Sequence, residues 1–122
     1  MAYFVEPAIF SCDDPHARIA QEEILGPVLT VITVDTFEDA VKVVNDSPYG
    51  LVSGICTRDI HRAHAFWYSA ETGVVKINRA TSQNLRNVPF GGIKQSSADT
   101  MKELGAAGLD FFSRHKTVYL GH

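Results

Sequence analysis

The sequence predicts an α/β fold made of parallel βαβαβ units, and three observations carry that expectation. Val28 to Val34 is a β-branched run of the kind buried by helices on both faces of a sheet. Phe37, Ala40, Val41 and Val44 follow at i, i+3, i+4 and i+7, one apolar stripe of a helix. The same strand-then-helix order then recurs before a third strand, with connections short enough to favour parallel pairing and right-handed crossovers.

Taken in order, Thr36 stands three residues ahead of Asp39 and predicts an N-cap for the first of these helices. That helix ends at Ser47-Pro48, because proline disfavours helical geometry in the residue before it. Leu51 to Thr57 reads as the second strand. Asp59 reads as the cap of a second helix through Ile60, Ala63, Trp67 and Ala70, with Gly73 as its C-terminal cap. Val74 to Asn78 is the third strand, and Arg79 to Asn87 is a polar loop leading into Pro89-Phe90-Gly91-Gly92. A helix from about Ala98 carrying Leu104, Leu109 and Phe112, then a strand at Thr117 to Leu120, complete the expected elements.

The chain has 122 residues, 45% of them hydrophobic and 20% charged, so one folded unit of ordinary globular composition is expected rather than a disordered segment. Basic residues are scattered and the formal charge is -3, which argues against nucleic-acid or anionic-membrane partners. The apolar runs are far shorter than the ~20 residues that span a bilayer. Cys12 and Cys56 lack CxxC spacing, so neither a zinc site nor a disulfide framework is indicated, and the cytoplasm is the simplest compartment.

Parallel sheets place ligands at the carboxyl ends of their strands, here near Asp35, Arg58, Asn78 and Arg79. Arg79 is either a fork for a carboxylate or an ordinary loop arginine, solvated or paired to a local acid. Glu22-Glu23 beside Ile24-Leu25-Gly26-Pro27 is either solvated surface or a carboxylate held at a pocket edge, where it suits ribose hydroxyls. Phe90-Gly91-Gly92 reads locally as a tight turn with an aromatic plug. His61, His64 and His115 lack acids at metal or triad spacing, so no metal site is expected. Cys56 reads as core, and Asp13 and Asp14 disfavour the Cys12 thiolate, so no catalytic residue is assigned.

In chain order, Tyr3-Phe4-Val5-Glu6-Pro7, Glu22-Glu23-Ile24-Leu25-Gly26-Pro27-Val28, Asn45-Asp46-Ser47-Pro48-Tyr49-Gly50-Leu51, Pro89-Phe90-Gly91-Gly92-Ile93-Lys94 and Lys116-Thr117-Val118-Tyr119 together resemble the aldehyde dehydrogenase superfamily. The resemblance covers residues 1–122 and corresponds to about the last quarter of a typical member, including an oligomerisation strand at about 116–120. It implies that Glu23 holds the nicotinamide ribose of NAD or NADP, and that Leu25 stands where the family usually has phenylalanine near the nicotinamide. The resemblance also implies that Phe90 lies near the substrate tunnel and that Asn78 to Asn87 shape the aldehyde pocket. Val75 to Thr81, with Asn87 to Gly92 and Ser96-Ser97, most resembles 2-oxoglutarate semialdehyde dehydrogenases, which gives Arg79 the task of gripping a substrate carboxylate.

The resemblance also implies an absence. The family's cysteine nucleophile, its glutamate base and its dinucleotide domain all lie upstream of the motifs matched. The expectation is therefore a C-terminal segment that is inactive alone, binds no cofactor by itself, packs against the remainder of the catalytic domain and takes part in a homo-oligomer. The alternative is a free-standing, non-catalytic interaction module.

Overall fold

A computed structural model of the chain describes residues 3–98 and 102–121. The element order is β1 (Ala8–Ser11), α1 (Arg18–Gln21), β2 (Val28–Val31), α2 (Phe37–Asp46), β3 (Tyr49–Gly50), β4 (Val52–Ile55), α3 (Ile60–Ser69), β5 (Val74–Ile77), β6 (Ile93–Lys94) and α4 (Gly105–Phe111). The chain divides into two compact units, Met1–Pro48 and Tyr49–His122.

In the first unit β1 pairs in parallel with β2, Ala8 opposite Val28 through Ser11 opposite Val31. The Thr30 hydroxyl donates to the Ile19 carbonyl at 3.0 Å and fastens α1 to β2. Helix α2 starts as expected: the Thr36 hydroxyl accepts from the Asp39 N–H at 3.1 Å and meets the Asp39 carboxylate at 2.7 Å. It stops at Asp46, with Ser47 extended ahead of Pro48.

In the second unit β4 and β5 pair in parallel across α3, a βαβ unit with Val52 opposite Val74 and Ile55 opposite Ile77. Asp59 caps α3, its carboxylate accepting from His61 at 2.8 Å and Arg62 at 3.3 Å. Among the described residues, Ala63 and Phe66 of α3 are the buried apolar side chains. Ser53 is buried beside Thr72, hydroxyl to hydroxyl at 2.7 Å. Thr72 already donates to the Val74 carbonyl at 3.1 Å, so the shared proton belongs to Ser53.

Four expectations are corrected. The strand at Val28 pairs with β1 rather than with the strand after α2. Helix α3 ends at Ser69 with an extended Ala70, so Gly73 is not its cap. Gly73 is required for close approach instead, since a Cβ there would sit 1.9 Å from the Gly91 carbonyl oxygen. The helix expected from Ala98 begins only at Gly105. Glu103 is held extended by exchanging backbone bonds with Phe90 at 2.6 and 2.7 Å, and Leu104, just ahead of the helix, has a φ of 65°, which a right-handed helix does not continue through. Residues 99–101 of that expected helix lie outside the described residues.

The fourth correction concerns Thr117 to Leu120, which form no strand. A strand exists only as one side of a ladder. Val118, Tyr119 and Leu120 meet no such partner among the described residues and are exposed.

Candidate functional site

Where β5 ends, Asn78 turns the chain with a φ of 54° and its side chain bonds both ways to Thr57. Arg79 is thereby projected from the strand end. It lines a cleft of about 230 Å³ together with Ile77, Ala80, Leu85, Val88 and Phe90. Among the described residues no aspartate or glutamate lines that cleft, and Arg79 makes no ion pair with any of them. No described acid therefore pairs with the guanidinium. Phe90 is half-buried and fixed by its bridge to Glu103, which is itself continued by Lys102, whose ammonium donates to the Gly91 carbonyl at 2.6 Å and also to that of Gly73.

The first unit holds the other two candidate residues. Arg18 forks onto Glu22 with bonds of 2.8 and 2.9 Å, and that hydrogen bond holds the Glu22 carboxyl below the usual carboxylate range. Glu23, next along, has no hydrogen bond or ion pair with any described residue. The two adjacent acids are therefore different things: Glu22 is engaged, Glu23 is available. Both face an open cleft of about 360 Å³ that Ile19, Leu25, Leu29 and Thr30 also line. Leu25 is 88% exposed with a φ of 54°. The left-handed residue of this turn is a leucine, then, and not the Gly26 that marks it in the sequence, and such outliers gather at functional sites.

The cysteines differ from each other. Cys12 is half-buried and its thiol donates to the Asp14 carbonyl at 3.2 Å, with no described cation bonded to it. Cys56 is exposed, which corrects its reading as core: β4 ends one residue earlier and Cys56 falls on the uncovered side of the alternation. His64 packs edge-on against Trp67 at 5.7 Å, and among the described residues no group of His, Cys, Asp or Glu gathers at metal-binding distance. Among those residues no helix is long and apolar enough to cross a membrane.

Sequence reasoning missed Lys76 of β5, which also lines the Arg79 cleft. Its ammonium donates to the Thr81 carbonyl at 3.1 Å, to the Asn84 side-chain oxygen at 3.0 Å and to the Gln83 carbonyl. A lone lysine in an otherwise apolar strand, Val74-Val75-Lys76-Ile77, was the available signal.

The profile of the aldehyde dehydrogenase family matches residues 1–118. The alpha-ketoglutarate semialdehyde dehydrogenase of Haloferax volcanii is 50% identical over 96% of this chain and 24% of its own length. The alpha-ketoglutaric semialdehyde dehydrogenase of Bacillus subtilis is 42% identical over 97% of this chain and 24% of its own length. The solved aldehyde dehydrogenase of Mycobacterium tuberculosis, complexed with NAD+, superposes with a TM-score of 0.88 at 38% identity, covering 97% of this chain and 24% of that one. The sequence resemblance is confirmed at family level and in its leaning toward the semialdehyde enzymes, and the chain spans about a quarter of the length of these relatives.

Proposed function

This chain belongs to the aldehyde dehydrogenase family, and we propose that it is the C-terminal quarter of an NAD(P)-dependent enzyme that oxidises an aldehyde also bearing a carboxylate. 2-Oxoglutarate semialdehyde, a substrate of the kind named for two relatives, fits that description. The observation that carries the proposal is the placing of Arg79 and Phe90 in one cleft that no described acid lines. A guanidinium without a partner in an acid-free cleft grips an anionic group with two charge-assisted bonds, while Phe90 covers the apolar stem.

The cofactor contribution of this segment is small and specific. Glu23 keeps both carboxylate oxygens unengaged at the edge of an open cleft, a fit for the paired hydroxyls of a ribose. When bound, NAD(P) supplies the hydride acceptor that such an oxidation requires. Leu25 offers shape but no aromatic face beside it.

The nucleophile lies outside this chain. A reactive cysteine needs a neighbouring cation or helix N-terminus, and neither Cys12 nor Cys56 has one among its described bonds. The isolated chain is accordingly inactive and completes its site only against the remainder of the catalytic domain. In the full-length enzyme residues 116–120 find a ladder partner in a homo-oligomer, in the cytoplasm.

Kinetics of the full-length enzyme test the substrate reading. Arg79→Ala lowers kcat/KM for the carboxylate-bearing aldehyde by about ten- to a hundred-fold, the worth of roughly 1.5 to 3 kcal/mol for bonds to a charged group. A neutral aliphatic aldehyde of similar length is unaffected. Equal losses on both substrates would overturn the reading.

A further inference from the structure

We infer that Lys76 is a specificity-determining positioning residue: it sets the shape of the Thr81 to Asn84 loop and, through that loop, the place at which Arg79 meets the substrate carboxylate. The inference rests on the Arg79 reading above and deepens it.

Among the described residues, Lys76 and Arg79 are the cations of one cleft that no described acid lines. Two cations side by side suggest at first a pair of equivalent clamps. The bonding separates them. A lysine ammonium has three donors, and Lys76 directs them to three acceptors of its own chain: the carbonyls of Thr81 and Gln83 and the side-chain oxygen of Asn84. Nothing remains on Lys76 for a ligand. Arg79 has no such engagement among the described residues, so the clamp is Arg79 and Lys76 is the hub around which the loop is wrapped.

The loop also has a fixed second side. Gly54 of β4 lies against it, for a Cβ there would meet the Thr81 methyl at 3.2 Å and the Lys76 carbonyl at 3.3 Å. Asn78, immediately before Arg79, is anchored to Thr57. Arg79 therefore sits between two anchors, Asn78 behind it and the Lys76 hub ahead. Removing the hub frees the segment on one side of Arg79 only, which loosens the placing of the guanidinium without removing its charge. That loosening acts on a carboxylate-bearing substrate, which the guanidinium must meet in register, and not on a neutral one.

The test uses the full-length enzyme at saturating cofactor, with the carboxylate-bearing semialdehyde and a neutral aldehyde of similar length. Lys76→Met, which keeps the stem and removes the donors, is expected to raise KM for the semialdehyde about ten-fold, the factor carried by one hydrogen bond to a charged group. Its kcat, its KM for the cofactor and its kinetics on the neutral aldehyde stay near those of the parent. Lys76→Arg recovers part of the loss. If Lys76→Met lowers the yield of folded enzyme, Lys76→Gln, whose amide keeps two donors, gives a smaller loss of the same kind.

A double-mutant cycle decides the mechanism. If Lys76 acts through Arg79, Lys76→Met has no further effect on discrimination in the Arg79→Ala background. Additive losses would overturn the inference, because Lys76 would then act on substrate independently. Loss of discrimination in Arg79→Ala with none in Lys76→Met would also overturn it, while leaving the substrate reading intact. No change in either variant would show that the substrate reading itself had failed.

Discussion

Asn78 forms a closed two-bond ring with the backbone of Thr57, its side-chain oxygen accepting from the Thr57 N–H at 2.8 Å and its amide donating to the Thr57 carbonyl at 2.9 Å. The ring extends the β4–β5 ladder by one rung, made by a side chain, at a residue whose own backbone has turned to a φ of 54°. Asparagine suits both demands, since it tolerates the left-handed region and carries a donor and an acceptor.

These two demands separate in mutants. Asn78→Gly loses the bonds but keeps the backbone at ease, whereas Asn78→Ala loses the bonds and adds the left-handed cost of about 1–2 kcal/mol. Alanine is therefore the more damaging replacement, measured by denaturant midpoint on the same preparation. Equal midpoints, or a worse glycine variant, would show that the left-handed backbone at this corner carries no such cost.

What the sequence disclosed divides along the same line. The caps at Thr36 and Asp59 were legible because a cap is settled within four residues, and the βαβ unit of β4, α3 and β5 because its connections are short. Partner choice was not legible: nothing local tells Val28 to pair with Ala8, or says that Thr117 to Leu120 meet no ladder partner among the described residues. Left-handed residues were hidden where they are not glycine, as at Leu25 and Leu104. Of the site, local pattern left Arg79 and Glu23 open, the family resemblance assigned them roles, and the Lys76 hub was invisible because its three acceptors are ordinary loop groups until folding brings them together.

Helix α3 has an acid-sensitive start. The His61 backbone N–H first, then that of Arg62, hold the Asp59 carboxyl below its usual range. A depressed folded-state pKa means that the contribution is complete above the unfolded value of about 3.9 and is lost as pH falls through the folded one. Asp59→Asn keeps an N-cap acceptor and cannot titrate. The stability gap between parent and variant should thus shrink as urea unfolding is repeated from neutral pH down to about pH 2. A gap that stays constant would mean that the cap acts without its charge.

Leu25 bears strain without packing to offset it. Placing glycine there removes about 1–2 kcal/mol of left-handed cost and adds about 0.5–1 kcal/mol of chain entropy, a net gain of about 0–1.5 kcal/mol. Leu25→Gly should raise the unfolding midpoint and, in the full-length enzyme, weaken cofactor binding, because the side chain shapes the cleft beside Glu23. A variant both less stable and equally tight for cofactor would remove Leu25 from the site.

The isolated chain should self-associate. Units of these sizes, each folded at ordinary density, would together expose about 7,800 Å², yet the chain exposes 10,187 Å², with Ile9, Leu29, Leu109 and Tyr119 among its exposed apolar residues. Unpaired edges and apolar area of this extent drive association in water. Light scattering across a concentration series reads it directly, and a strictly monomeric chain that binds no apolar dye would contradict it.

The last prediction sets two neighbouring acids against each other. Arg18 already occupies both oxygens of Glu22, whereas Glu23 faces the same cleft with no described partner. If Glu23 holds the ribose, then Glu23→Gln in the full-length enzyme replaces an ionised acceptor by a neutral one and should raise KM for NAD(P) about ten-fold, in line with roughly 1.5 kcal/mol for a bond to a charged group. Glu22→Gln should leave cofactor binding near that of the parent, because its loss falls on the fork with Arg18. That fork has its own signature: with the Glu22 carboxyl lowered, its contribution is complete above the ordinary glutamate range and fades as pH falls through the lowered value. Glu22→Gln thus reduces stability at neutral pH and not in acid, while Glu23→Gln changes cofactor binding and not stability. The opposite pairing of effects would mean that the cofactor selects the acid already bound to Arg18, and that Arg18 gives it up when the cofactor arrives.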